Sequence, residues 1–172
     1  YGFRRRANDF TSAAMNDKRD TIDQPSGFRN LVGYRATVWR EGYTEFEIEI
    51  DSRHYNSSGF LHGGVYVALL DSAMSHAATW CDTAENVRRC VTLSLTTTFL
   101  ATARTPRVRA VGRLESISGR TATCRGEVYD GNGELCAAAQ GSYRYTHGSE
   151  HTSGVPVAGG PPASSSGREQ ER

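Results

Sequence analysis

Long apolar runs are missing from this chain of 172 residues: none approaches the roughly 18 uninterrupted apolar residues of a membrane span, and no apolar h-region marks the N-terminus as a secretory signal. A soluble, cytoplasmic protein is the expectation. Net charge is nearly absent as well, because 20 basic residues stand against 19 acidic ones for a formal +1. No field of one sign exists to gather nucleic acid or an anionic membrane. Lysine is almost absent, with Lys18 alone among arginines. Cysteine is sparse, and Cys81, Cys90, Cys124 and Cys136 form neither a C-x-x-C pair nor a zinc-ligand rhythm. Reduced, mostly buried thiols are expected, and neither a metal nor a redox cofactor. A nucleophile elbow G-x-S-x-G, a P-loop and a G-x-G-x-x-G fingerprint are all missing, which sets aside a serine hydrolase of that design and the common nucleotide-binding folds.

What is present is enough for one domain. Hydrophobic residues make up 37% of the chain and 18 glycines add to them, within the globular range. Residues 1–25 are polar, with Arg4-Arg5-Arg6 and a mixed-charge cluster at 16–20, and read as a loose arm. From about His147 the composition turns to Gly, Ser, Pro and Ala, too poor in apolar surface to offset chain entropy, so 147–172 reads as a disordered tail. The domain is 26–146.

Within it, Tyr34–Arg40 and Glu45–Ile50 carry strand patterns, the second alternating Phe46, Ile48 and Ile50 with glutamates around a turn at Glu41-Gly42. His62 to Trp80 is long, free of proline and rich in Ala, Leu and Met, and it reads as the one long helix. Strand patterns return over 91–99, 107–116, 121–129 and 135–145, the last two separated by the turn Asp130-Gly131-Asn132-Gly133. The order β-β-α-β-β-β-β has no alternating β-α units. It predicts an α+β fold, an antiparallel sheet carrying a single helix.

One residue does not suit a bland core. Between Arg53 and Asp82 the only formally charged residue is Asp71, in the middle of the apolar helix. An ionised group buried without a partner is costly, so it is either functional or lies on a solvent stripe with Ser72, Ser75 and Thr79. Upstream, His62-Gly63-Gly64 leads into the helix, where first-turn N–H groups lack intrahelical acceptors and can hold a polarised carbonyl oxygen. Close helix packing is the alternative reading of the glycine pair. The tripeptide Asn56-Ser57-Ser58 matches a glycosylation acceptor, a pattern that recurs by chance.

Asn56, Gly59, His62-Gly63-Gly64 and Asp71, in the frame N-x-x-G-x-x-H-G-G-x-x-x-x-x-x-D, together resemble the hotdog-fold acyl-CoA thioesterases of the PaaI-like (phenylacetic acid degradation) group, within the 4-hydroxybenzoyl-CoA thioesterase superfamily. The resemblance covers about residues 27–146, with Phe99-Leu100-Ala101 similar to the family's strand ending. It implies a hotdog fold, a helix wrapped by a curved antiparallel sheet, that forms a homodimer and pairs again into a homotetramer. It also implies acyl-CoA as substrate, with coenzyme A bound only as part of it. By the same resemblance Asp71 is the general base or nucleophile, the Gly63 N–H is the oxyanion donor, and Asn56 orients the thioester or water. Thr92 is the assisting hydroxyl on the following strand, and His62 matches the motif histidine, as a catalytic group or as a structural hydrogen bond fixing the loop.

Spacing adds an independent point. Gly63 and Asp71 lie two helical turns apart, roughly 12 Å along one axis, so both reach one carbonyl only if they come from different chains of a two-fold dimer. Arg88, Arg89, Arg104 and Arg107 are candidates for meeting the phosphates of coenzyme A, or are ordinary solvated arginines. Tyr66, Leu70 and Met74 are expected to set pocket width, with the small Ala77-Ala78 pair beside them. Two rival functions stay open: a hotdog hydratase or dehydratase using His62 with the carboxylate, and a non-catalytic acyl-CoA-binding protein.

Overall fold

The computed structural model describes residues 27–83 and 85–157. The arm expected over 1–25 and the last part of the expected tail lie outside the described residues. A short helix α1 (Gly27–Val32) leads into strands β1 (Arg35–Arg40) and β2 (Tyr43–Glu49), joined through Gly42 at φ 64°. A 3-10 turn (Ser52–His54) follows, then the long helix α2 (Gly63–Ala78). The remaining strands are β3 (Asn86–Val87), β4 (Cys90–Phe99), β5 (Arg107–Ser118), β6 (Thr121–Asp130), β7 (Leu135–Tyr145) and β8 (Val155–Pro156). Each of the six long strands falls where its hydrophobic alternation places it. The element α1 and the pair β3 and β8 were too short to register as patterns.

The main sheet is antiparallel throughout, in the order β1-β2-β5-β6-β7-β4. Helix α2 lies in its concavity, the hotdog arrangement. The alternation in β2 buries Phe46 and Ile48 against the helix while Glu45, Glu47 and Glu49 line the outer face, where they meet Arg109, Arg35 and Arg107. Close approach of helix to sheet depends on two glycines that pair across β5 and β6. A Cβ on Gly112 would stand 2.1 Å from the Ala73 carbonyl oxygen, and one on Gly126 would stand 2.9 Å from Leu70 Cδ2. Small residues at that crossing let α2 sink into the sheet.

That packing corrects the expectation about the pocket. Tyr66, Leu70 and Met74 do not face an open cavity; all three are buried, as are Ala77 and Ala78, and they fill the space between helix and sheet. Tyr66 also accepts a hydrogen bond from the Ala103 N–H at 2.9 Å. Three of the four cysteines, Cys81, Cys124 and Cys136, are buried.

Residues 147–157 correct the expected tail. Instead of leaving the domain, they fold back so that β8 pairs with β3, Val155 opposite Val87. The anchor is Arg88, whose guanidinium is buried: Nε donates to the Ser149 carbonyl at 2.9 Å and Nη1 to the Trp80 carbonyl at 2.9 Å. The guanidinium also stacks 4.5 Å over the Tyr145 ring. Arg88 is thus committed to the fold and is not free to meet a phosphate. Arg107 is engaged as well, with Glu49 at 3.2 Å. No helix among the described residues is long and apolar enough to cross a membrane.

Candidate active site

The loop before α2 is built from its own polar groups. Asn56 Oδ1 accepts from the Ser58 N–H at 2.9 Å and the Phe60 N–H at 3.2 Å, while its backbone N–H donates to the Phe60 carbonyl. This Asx turn is closed by Gly59 at φ 77°, a left-handed conformation that suits glycine. Behind it, buried His54 receives the Asp51 N–H on Nδ1 and donates Nε2–H to the Val32 carbonyl, so α1 and the loop are tied together. The His54 carbonyl in turn accepts the His62 N–H at 2.8 Å.

His62 is the N-cap of α2. Its Nδ1 accepts the Gly64 N–H at 2.9 Å and its carbonyl accepts the Val65 N–H, also at 2.9 Å. Two of the orphan donors of the first turn are therefore satisfied locally. The Gly63 N–H has no acceptor among the described residues. The resemblance names Gly63 as the donor, and capping by the histidine occupies the Gly64 N–H while leaving that of Gly63 free among the described residues. A Cβ on Gly63 would meet Phe99 Cζ at 3.3 Å, so the ring of Phe99, at the end of β4, lies against the helix start.

Asp71 lies two turns further along the same stripe of α2. It is half-buried and directed at β4 and β7, not at a solvent stripe. Thr92 Oγ1 donates to its Oδ1 at 2.8 Å, and the Tyr143 hydroxyl donates to the same oxygen at 3.3 Å. The other hydroxyls near it on the helix have different duties: Ser72 Oγ bonds the Tyr34 hydroxyl at 2.7 Å, and Thr79 Oγ1 donates to the Ser75 carbonyl. No ion pair involves Asp71 among the described residues. Burial and then the Asp71 carboxylate push the Cys90 thiol up to about 11, which removes it as a competing nucleophile. Burial first, and Asp71 next, hold the Tyr143 phenol far above its ordinary value, so it stays a proton donor in its hydrogen bond.

The five residues expected from the motif thus fall into two groups within one protomer. Asn56, His62 and Gly63 form one cluster at the start of α2, and Asp71 with Thr92 forms the second. Tyr143 was not visible in sequence, since the ring reaches Asp71 across the sheet from a strand 72 residues away. Beside the first cluster, a cleft of about 670 Å³ opens between Phe60, Leu100, Ala103, Arg104, Asp130 and Glu134. No set of three or more His, Cys, Asp or Glu among the described residues is placed to hold a metal ion.

Comparison with known proteins follows the same lines. Residues 58–137, from the motif loop through β4 to β7, match the family model described as the thioesterase superfamily. The 1,4-dihydroxy-2-naphthoyl-CoA hydrolase of Escherichia coli K12 is 31% identical over 117 residues, covering 66% of this chain and 85% of that protein. Among solved structures, a conserved protein of Pseudomonas aeruginosa superposes with a TM-score of 0.67 at 25% identity, covering 74% of this chain and 98% of its own. The Escherichia coli PaaI protein of the phenylacetic acid degradation operon superposes at 0.65 with 16% identity over 74% of this chain and 89% of its own, a likeness of fold. Fold, motif and relatives agree: this chain belongs to the thioesterase superfamily and is a hotdog-fold thioester hydrolase.

Proposed function

We propose that the protein hydrolyses acyl-CoA thioesters, with an aryl or a short- to medium-chain acyl group, to the free acid and coenzyme A. The observation that carries this is one helix N–H, on Gly63, and one carboxylate oxygen, Asp71 Oδ2, neither of which has a hydrogen-bond partner among the described residues. The Gly63 N–H is positioned to stabilise negative charge as it develops on the thioester oxygen, aided by the helix dipole. Asp71 takes a proton from water as that water attacks the carbonyl, or attacks directly to form an anhydride that water then opens. The carbonyl–sulfur bond breaks and coenzyme A leaves as a thiolate, a good leaving group that needs no metal or redox cofactor. Asn56 shapes the loop that presents the donor, and Thr92 orients the carboxylate.

Both groups lie on one helix about 12 Å apart, so one carbonyl is reached by Gly63 of one copy and Asp71 of another. The free edge of β4 supports such a homodimer: ten residues without a charge, with Val91 54% and Leu93 51% exposed. Pairing of two β4 edges would extend the sheet and bring the two α2 helices antiparallel. A further pairing into a tetramer belongs to the same proposal. The cleft beside Phe60 and Leu100 is the route proposed for the coenzyme A arm, with Arg104 in its lining as the candidate for its phosphates.

The state of His62 argues against a hydratase. With Nδ1 accepting the Gly64 N–H, the neutral ring carries its proton on Nε2 and acts as a donor, not as the base that hydration would require. Release of free thiol from acetyl-, hexanoyl-, lauroyl-, phenylacetyl-, benzoyl- and hydroxybenzoyl-CoA, wild type beside Asp71→Asn, tests the reading. Turnover that vanishes in the variant is the expected result; turnover of no ester by the wild-type protein would leave acyl-CoA binding as the better account.

A further inference from the structure

Tyr143 is the feature of the site that neither motif nor family comparison assigns. It stands on the inner face of β7, wholly buried, directly opposite Thr92 in the register of β4 on β7. A bulge between Thr92 and Ser94 breaks that register just beyond the pair, and Thr92 and Leu95 both face the concavity as a result. The ring of Tyr143 lies back over Gly141: a Cβ there would stand 2.9 Å from the phenol oxygen and 3.0 Å from Cε2. Glycine at 141 is thus the space into which the tyrosine reclines to reach α2.

A buried tyrosine normally spends its hydroxyl on a backbone acceptor, as its neighbour Tyr145 does on the Ala78 carbonyl at 2.7 Å. Tyr143 instead donates to Asp71 Oδ1, the atom that already accepts from Thr92. Two hydroxyls from two strands converge on one oxygen, and Oδ2 accepts no hydrogen bond among the described residues. Resting on the reading of Asp71 as the reactive carboxylate, we propose that Tyr143 is a positioning residue: it anchors Oδ1 from the dry side of the sheet and leaves Oδ2 as the oxygen presented to water or to the thioester carbon. Thr92 lies at the exposed edge, where water competes for its hydroxyl; Tyr143 has no such competitor and keeps the carboxylate plane fixed when Thr92 turns away.

The groups that face this assembly do not blur the test. From β4 comes Cys90, from β6 Cys124 and from α2 His76. Burial holds both thiols protonated and His76 neutral, and none carries charge in the neutral range.

The test is Tyr143→Phe, which keeps the ring and deletes only the hydroxyl, assayed in the full chain beside wild type and Asp71→Asn. Expected is a kcat lower by about tenfold with KM within about twofold, as for loss of one hydrogen bond to a charged group. A second measurement needs no turnover: in a double-mutant cycle of Tyr143→Phe with Asp71→Asn, the melting temperatures should be non-additive by on the order of 2–4 °C. Wild-type kcat would overturn the proposal, as would additive melting temperatures. If Asp71→Asn itself keeps full turnover, the reading of Asp71 has failed, and the cycle alone decides whether Tyr143 holds it.

Discussion

The two edges of the sheet are finished differently. At one edge, β1 is six residues long, carries an arginine at each end and is bent by a bulge between Ala36 and Val38. Short, charged and kinked strands are how a sheet refuses further pairing. At the other edge, β4 is ten residues long, carries no charge and exposes Val91, Leu93 and Phe99. Both edges lie about equally far from the middle of the sheet, yet Asp71, Thr92 and Gly63 are all at the β4 side. The difference teaches that the sheet is closed to further pairing at the β1 edge and left open at the edge beside Asp71, as the proposed site shared between copies would require.

The strongest challenge to that contrast is Asp71→Asn. Turnover should fall by roughly a hundred- to ten-thousand-fold while the chain stays folded, measured by thiol release and circular dichroism. Next comes the open edge itself. Leu93→Lys should shift the protein toward monomer in light scattering and remove most turnover, because the donor and the base would no longer meet. On the closed side, Gly112→Ala should cost about 3 kcal/mol or more of stability, since a methyl group 2.1 Å from the Ala73 carbonyl forces the helix off the sheet. Denaturant titration measures this, and the fraction still folded should keep its specific activity.

Two smaller effects belong to the closed side. His76, packed against Phe46 and Trp39, donates Nδ1–H to the Ser72 carbonyl, and burial pulls its pKa below the ordinary 6.5. The folded chain therefore binds fewer protons here than the unfolded one, so stability should be full above pH 6.5 and decline as pH falls below it. Melting temperature followed from neutral to mildly acid pH should show this slope, and His76→Phe should flatten it. Smallest of all, Arg35→Ala removes an exposed pair with Glu47 at 3.9 Å and should change stability by less than about 1 kcal/mol, with no change of oligomeric state.

Much of this was legible in one dimension. Strand patterns marked all six long strands, the glycines at 42 and 133 marked their turns, and the spacing of Gly63 and Asp71 pointed to a second copy. Other features were illegible for physical reasons. Residues 147–157 looked too polar to fold, but Arg88 holds them through the carbonyls of Ser149 and Glu150, and a backbone carbonyl is the same in every residue. Tyr66, Leu70 and Met74 looked like pocket walls because sequence shows that a residue is apolar, not which side of a helix the sheet will cover.

The sequence by itself determined the six long strands, the long helix, the motif and its carboxylate, because hydrophobic period, glycine conformation and helical rise act over a few residues. Only the tertiary structure decided strand order and the meeting of Thr92 and Tyr143 on one oxygen of Asp71. Those depend on register between strands distant in the chain, where a shift of one residue would turn each of these hydroxyls to the opposite face.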